Sequence, residues 1–248
     1  MPRFLVFIVG MFFVQAATAQ VKNIKTFYKL AEAEAEKAGQ SFSVSFVQPG
    51  MDLVDPYDTL EQIILIRHGE PALNKKGWFT RKEAMQFIKD YDSVGVEPLP
   101  YQPVLLAPGE IETVYTSTIN RAKYTGKLAF GAAVHYQDDP LFREFERKIF
   151  GFPNLKMPLK FWLVTSRVLW LMGANKKDIE SKKEANQRAQ QAAQKLIDHA
   201  TKQNKVILVA HGLLNRSLVK NLKNQGWTLV RKGGSKYLAT SLLVRIRP

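Results

Sequence analysis

Arg67, His68 and Gly69 follow directly on an apolar run, Gln62-Ile63-Ile64-Leu65-Ile66, and a second run, Val206-Ile207-Leu208-Val209-Ala210, ends the same way in His211 and Gly212. Unbroken apolar runs of this length read as strands buried on both faces. The residues just past such strands stand at the carboxyl edge of a sheet, where open α/β folds build their sites. A neutral imidazole can attack an electrophile without first losing a proton, and the planar fork of an arginine can grip the oxygens of an anion. Gly69 lets the backbone turn sharply and a ligand approach closely. An isolated histidine after a strand is usually structural, but two strands that each end in His-Gly point to one shared site.

Phosphoryl transfer to a side chain needs a nucleophile, cations around the phosphate oxygens and a proton for the leaving oxygen. His68 and Arg67 supply the first two. Arg121 is a second cation: it lies in Tyr115-Thr116-Ser117-Thr118-Ile119-Asn120-Arg121-Ala122, a Ser/Thr-rich turn before a helix start, whose backbone N–H groups favour an anion. A carboxylic acid beside a phosphate can stay protonated and donate to the leaving oxygen.

These segments resemble the histidine phosphatase superfamily, the phosphoglycerate-mutase-like proteins. The resemblance runs over roughly residues 62–246, is sharp at four short motifs, and departs from the family pattern between about 150 and 178. It implies that His68 is a nucleophile that carries the phosphoryl group, that Arg67 and Arg121 bind the phosphate, and that His211 donates a hydrogen bond and positive charge to it. Asp139-Pro140-Leu141-Phe142-Arg143-Glu144-Phe145-Glu146 resembles the family segment in which Leu-x-Glu supplies the general acid, here with one residue more, and the resemblance makes Glu144 the first choice for the acid and Glu146 the reserve. Glu180-Ser181 with Arg188 is similar to a family element whose role is mainly structural, and Asn74–Ala84 to its loop and helix start, with Lys75, Lys76, Arg81 and Lys82 as a basic rim. His135 and His199 have no matching context and read as structural or surface residues.

The elements that must position these groups alternate along the chain. Strands are expected at Gln62–Ile66, Thr113–Thr116, Val134–Tyr136, Val206–Ala210 and Ala239–Ile246, and helices at Arg81–Tyr91, Arg121–Phe130, Ser181–Ala200 and Asn215–Asn224. Apolar strands alternating with helices predict an α/β fold, a three-layer α/β/α sandwich with a mostly parallel sheet. Residues 20–60 form an N-terminal extension. In it, Ile24–Gly39 has helical spacing, Ser41–Val47 alternates as a half-buried strand, and Pro49-Gly50 makes a turn. A cap segment is expected at about 145–178. Within it Phe161–Met172 reads first as a core or cap helix, with a lid presenting an apolar substrate face, or a peripheral membrane contact, as the sharper alternatives.

The first nineteen residues read as a signal peptide: Met1-Pro2-Arg3, an apolar core from Phe4 to Val14, and Ala17-Thr18-Ala19 before the expected cleavage. The chain has no cysteine, so an exported form holds together without disulfides, which suits a bacterial periplasm or secretion. The balance of 36 Lys+Arg against 22 Asp+Glu, net +14, favours anionic partners such as a phosphorylated small molecule. Nothing resembles a nucleic-acid module, and no carboxylate cluster has the spacing of a metal site. The expectation is a metal-independent phosphomonoester hydrolase with no cofactor. A phosphomutase and a non-catalytic anion-binding envelope module are the rivals.

Overall fold

The computed structural model describes residues 2–151, 154–174 and 178–247, with side chains from Ala16 onward. The side chains of Phe4–Val14 and residues 152, 153 and 175–177 of the expected cap lie outside the described residues. The strands are β1 (Leu60–Arg67), β2 (Trp78–Phe79), β3 (Thr113–Ser117), β4 (His135–Asp139), β5 (Met157–Pro158), β6 (Lys205–Ala210), β7 (Thr228–Arg231) and β8 (Thr240–Ile246). Six of them form one sheet in the order β4-β3-β6-β1-β8-β7, while β2 and β5 pair separately. All but β8 point the same way, because β8 is antiparallel to both β1 and β7.

The helices are α1 (Pro2–Lys37), α2 (Arg81–Ser93), α3 (Asn120–Phe130), α4 (Leu159–Leu171), α5 (Lys182–Gln203) and α6 (Gly212–Asn224). β1 shows why the run is continuously apolar. Ile63 and Leu65 enter one core with α5 and α6, while Ile64 and Ile66 enter another with α1 and α3. Helices on both faces of a mostly parallel sheet give the three layers that the alternation predicts. On α5, Ala185, Ala189, Ala192, Ala193 and Ala200 are buried, and such small side chains let the helix lie close to the sheet. Thr80 with Glu83 and Ser181 with Glu184 form capping boxes at the starts of α2 and α5.

The N-terminal extension differs from expectation in one part. α1 stops as predicted, in a Schellman turn: Gly39 (φ 68°) donates to Glu36 O and Gln40 to Ala35 O. Ser41–Val47, however, is not a strand. Val44 makes a single parallel bridge to Val104, with Val44 N donating to Pro103 O and Leu105 N to Val44 O. Pro103 has no N–H to extend a ladder, and the backbone of Val47 is taken by the buried Gln62 side chain, whose Oε1 and Nε2 bond its N–H and carbonyl. The alternation of Phe42, Val44 and Phe46 is real burial against the α1 face of the sheet, without strand pairing.

The apolar segment 161–172 lies in α4, a cap helix. It packs with α2 in a third apolar cluster of Ala84, Phe87, Ile149, Leu159 and Trp162. Trp162 Nε1 donates to Phe79 O at 2.7 Å, which ties α4 to the β2–β5 ribbon.

Candidate active site

Register decides which side chains meet. Arg67 of β1 is paired with Ala210 of β6, so His68 and His211, the next residues, leave the sheet side by side with ring centroids 5.2 Å apart. Thr116 of β3 pairs with Val209, which brings Ser117 to the same edge. The use of Gly69 differs from the expected sharp turn. Its φ is not in the left-handed region, but a Cβ there would stand 3.0 Å from Leu99 Cδ2 and 3.4 Å from Thr125 Oγ1. The Leu99 side chain closes on the space beside Gly69, and the Gly69 N–H donates to Thr125 Oγ1 of α3 at 2.8 Å.

His68 is buried, and its two ring nitrogens have different partners. Nδ1 lies 2.8 Å from Gly69 O, and a carbonyl can only accept, so Nδ1 carries the hydrogen. Nε2 accepts from Arg121 Nε at 3.2 Å and therefore presents its lone pair beside the guanidinium. Burial first, then the Arg121 cation and also Arg67 and Lys75, hold this imidazole well below the ordinary histidine range, although the Gly69 bond acts the other way. His68 is thus a neutral imidazole with a defined tautomer.

Arg121 opens α3. Its Nη1 bonds Tyr91 O and Asp92 Oδ1, each at 2.8 Å, and the guanidinium lies 4.3 Å over the Tyr91 ring. Arg67 packs its guanidinium 4.7 Å from the centroid of Tyr237, with Nη1 bonded to Ser235 O and Nε buried without a partner. His211 is fully buried. Its Nε2 lies 2.8 Å from Ser117 Oγ, and its Nδ1 has no partner among the described residues. Burial, then Arg121, His68 and Arg67, lower its pKa far below the usual value.

Glu144 faces the same cavity as His68, but its carboxylate is engaged by backbone. Oε1 accepts from its own Phe145 N (3.0 Å) and from Leu214 N (3.1 Å), and Oε2 from Leu213 N (3.2 Å). It so satisfies two open N–H groups at the start of α6. Glu146 is turned to Glu180, whose N–H donates to Glu146 Oε2 at 2.7 Å. Arg188 grips both Glu180 oxygens, at 3.0 and 2.6 Å, and its Nη1 bonds the carbonyls of Leu141 and Arg143. The Glu180–Arg188 pair therefore clamps the segment that carries Glu144. His135 is exposed, and His199 lies against the Tyr115 hydroxyl at 3.2 Å, away from the site.

The model of the histidine phosphatase superfamily (branch 1) matches residues 63–246, most of the chain and every residue of this site. The chain belongs to the histidine phosphatase superfamily. Its activity is accordingly of the phosphatase or mutase type. No curated protein matches it in sequence. Solved structures that resemble it include a phosphoglycerate mutase from Bacillus anthracis (18% identity, 76% of this chain and 91% of that one, TM-score 0.46). A mycobacterial glucosyl-3-phosphoglycerate phosphatase is similar at 18% identity over 75% of this chain and 90% of that one, with TM-score 0.43. A phosphoserine phosphatase from Entamoeba histolytica is similar at 20% identity over 66% and 80%, with TM-score 0.36.

In this member of the superfamily His211 and Arg121 meet His68, Arg67 stands beside it, and a cavity of about 690 Å³ opens over His68. Sequence reasoning missed several of the residues around it. Tyr237 bonds Lys75 Nζ through its hydroxyl at 2.9 Å and lies 5.7 Å, centroid to centroid, from His68. It arrives on the loop before β8, and only the antiparallel placement of β8 beside β1 brings that loop to the edge. Arg147 and Arg167 also line the cavity, each with a buried Nε that lacks a partner. Burial lowers both pKa values, that of Arg167 to about 10 with Arg147 as the next cause. Seven Lys and Arg side chains line this cavity against three carboxylates. Among the described residues no cluster of His, Cys, Asp and Glu could hold a metal ion.

The depressed histidines give an expected pH dependence of stability. In the unfolded chain these rings protonate as the pH falls through about 6.5, whereas His68 and His211 stay neutral to lower pH when folded. The stability they contribute is full above about pH 6.5 and is lost as the pH falls toward the folded values. The loss is up to about 1.4 kcal/mol per pH unit for each ring. Melting curves between pH 7.5 and 5 should show this decline, and His211→Asn should make it shallower. A wild-type midpoint that does not change with pH would contradict the burial of two neutral imidazoles.

Proposed function

We propose that this histidine phosphatase is a phosphomonoester hydrolase that works through a phosphohistidine on His68, without a metal, in an exported form. The observation that carries this reading is the His68 tautomer: Nδ1 is committed to Gly69 O, which leaves the Nε2 lone pair beside Arg121 at the cationic cavity. A bound phosphate oxygen takes over the Arg121 N–H, which frees the Nε2 lone pair; Nε2 then attacks phosphorus in line and the bond to the ester oxygen breaks. Arg67, Arg121 and His211 stabilise the equatorial oxygens, with the unpartnered His211 Nδ1 as a hydrogen-bond donor. Glu144 Oε2 accepts a single amide bond, so it keeps a lone pair for the proton that passes to the leaving alcohol. In the second half Glu144 takes a proton from water, the hydroxide attacks the phosphohistidine, and phosphate leaves with His68 restored.

The amides of Leu213 and Leu214 on Glu144 also favour the rival reading, an anion-binding module in which this carboxylate only caps α6. Purified protein given an aryl phosphate with chelator present separates the two. Turnover together with a phosphoryl group mapped to His68 after alkaline quench is expected. Tight phosphate binding with neither turnover nor phosphoenzyme, across a wide panel of esters, would establish the binding module.

Export is supported by the sequence of the first nineteen residues, an apolar core from Phe4 to Val14 followed by Ala17-Thr18-Ala19. From Gln20 onward α1 also has a place in the fold: it packs against the sheet through Val21, Ile24, Phe27 and Tyr28, and Gln20 Nε2 bonds Asp55 O. Among the described residues no helix is long and apolar enough to cross a membrane. Mass spectrometry of the protein from the envelope or medium should find Gln20 as its first residue. An intact Met1 on all of the exported protein would refute cleavage.

A further inference from the structure

The chemistry above uses only the His68 end of the cavity. The far wall is α4, where Leu163, Val164 and Val168 line the space. Val164 is 51% exposed and Val168 46%, and the same helical face continues past the cavity into Leu171 (44%) and Met172 (76%). The spacing 164, 168, 171 and 172 is one stripe of a helix. α4 carries no acidic residue, and its only charges are Lys160 and Arg167. The helix is held rigidly from behind, since Trp162 bonds Phe79 O and Trp170 Nε1 bonds Glu180 O at 2.7 Å. An apolar stripe is thus fixed in place, with one end in a cationic phosphate site and the other in solvent.

A small polar phosphate ester would leave that stripe unused, whereas an ester with a long apolar chain would cover it while its phosphate met Arg67 and Arg121. We propose that the substrates are amphiphilic phosphomonoesters, bound with the phosphate at His68 and the apolar chain along Val164, Val168, Leu171 and Met172. This rests on the reading of the His68 end as a phosphate site. The complementarity is double, anion to cations and chain to stripe, and it gives α4 the role of selecting for the alcohol.

Binding of n-alkylphosphonates, which cannot be hydrolysed, tests this independently of turnover. Affinity is measured by calorimetry for chains from butyl to dodecyl, below their micellar concentrations. Full burial of a methylene gives roughly fourfold in affinity, and a half-exposed stripe about twofold, so on the order of a hundredfold should accumulate across the series. Val164→Asn with Val168→Asn should flatten the series, with melting curves to verify the fold. Chain-length-independent binding in the wild type, or an unchanged slope in the double variant, would overturn the proposal. Length-independent binding together with sedimentation on phospholipid vesicles would assign the stripe to a bilayer surface instead, and also overturns it. Failure of every phosphonate to bind at any length is a separate result, because it removes the phosphate site itself.

Discussion

Replacing His68 with Asn is expected to reduce aryl phosphate turnover by about 10⁴-fold or more, the scale on which a covalent nucleophile is lost. The asparagine amide can fill much of the same space and can accept from Arg121, but it cannot form and then surrender a bond to phosphorus. The fold should survive, because the backbone at this position is held independently: His68 N donates to Ala210 O at 3.0 Å and Gly69 N to Thr125 Oγ1. Removing a buried imidazole held below its usual pKa should even make the protein less sensitive to mild acid. Phosphate binding should persist through Arg67 and Arg121. Steady-state kinetics with calorimetry on the same variant gives both readings. Turnover within tenfold of wild type would mean that phosphorus is attacked by something other than His68.

The parts of the fold that were legible in the sequence are those where burial is two-sided or a cap is local. Ile63–Ile66 of β1 and Val206–Ala210 of β6 are unbroken apolar runs because helices cover both faces, and the start of α5 is marked by Ser181 and Glu184 three residues apart. Ser41–Val47 misled because alternation reports burial on one face, whereas a strand also needs a partner for its backbone. Pro103 and the side chain of Gln62 remove that partner. β7 and the two-residue strands β2 and β5 were invisible for a related reason: each is too short or too half-buried to show a period.

The candidate site was legible where chemistry and strand ends coincide. His68 and His211 are found from sequence because both follow apolar strands, and the parallel register then sets them side by side. Arg121 was found from its turn and helix start. Tyr237, Arg147 and Arg167 were not, since each reaches the cavity through a tertiary arrangement: an antiparallel final strand for Tyr237, and the packing of the cap for the two arginines. Glu144 lines the cavity, but sequence offered no sign that its carboxylate would hold the first turn of α6. Glu144 therefore ties the cavity wall to the helix that follows His211.

Arg121 is where the geometry makes its second large prediction. Its Nε donates to His68 Nε2, and its Nη1 is fixed by Asp92 and the Tyr91 carbonyl. The guanidinium is therefore aimed before a phosphate arrives, and a donor preorganised in this way contributes about 10²–10³-fold to turnover. Arg121→Met should lose that factor. Arg121→Lys should recover only part of it, since an ammonium keeps the charge but not the fork. A second readout separates a direct role from a merely structural one. The Arg121 cation is among the causes that hold His68 below its usual range, so its removal should raise the His68 pKa. Because only the neutral imidazole attacks, the acidic limb of kcat/KM should move to higher pH in Arg121→Met and stay closer to wild type in Arg121→Lys. A variant that lost turnover or stability with no movement of that limb would show that Arg121 supports the site through packing with Tyr91 and Asp92, not through contact with the reacting groups.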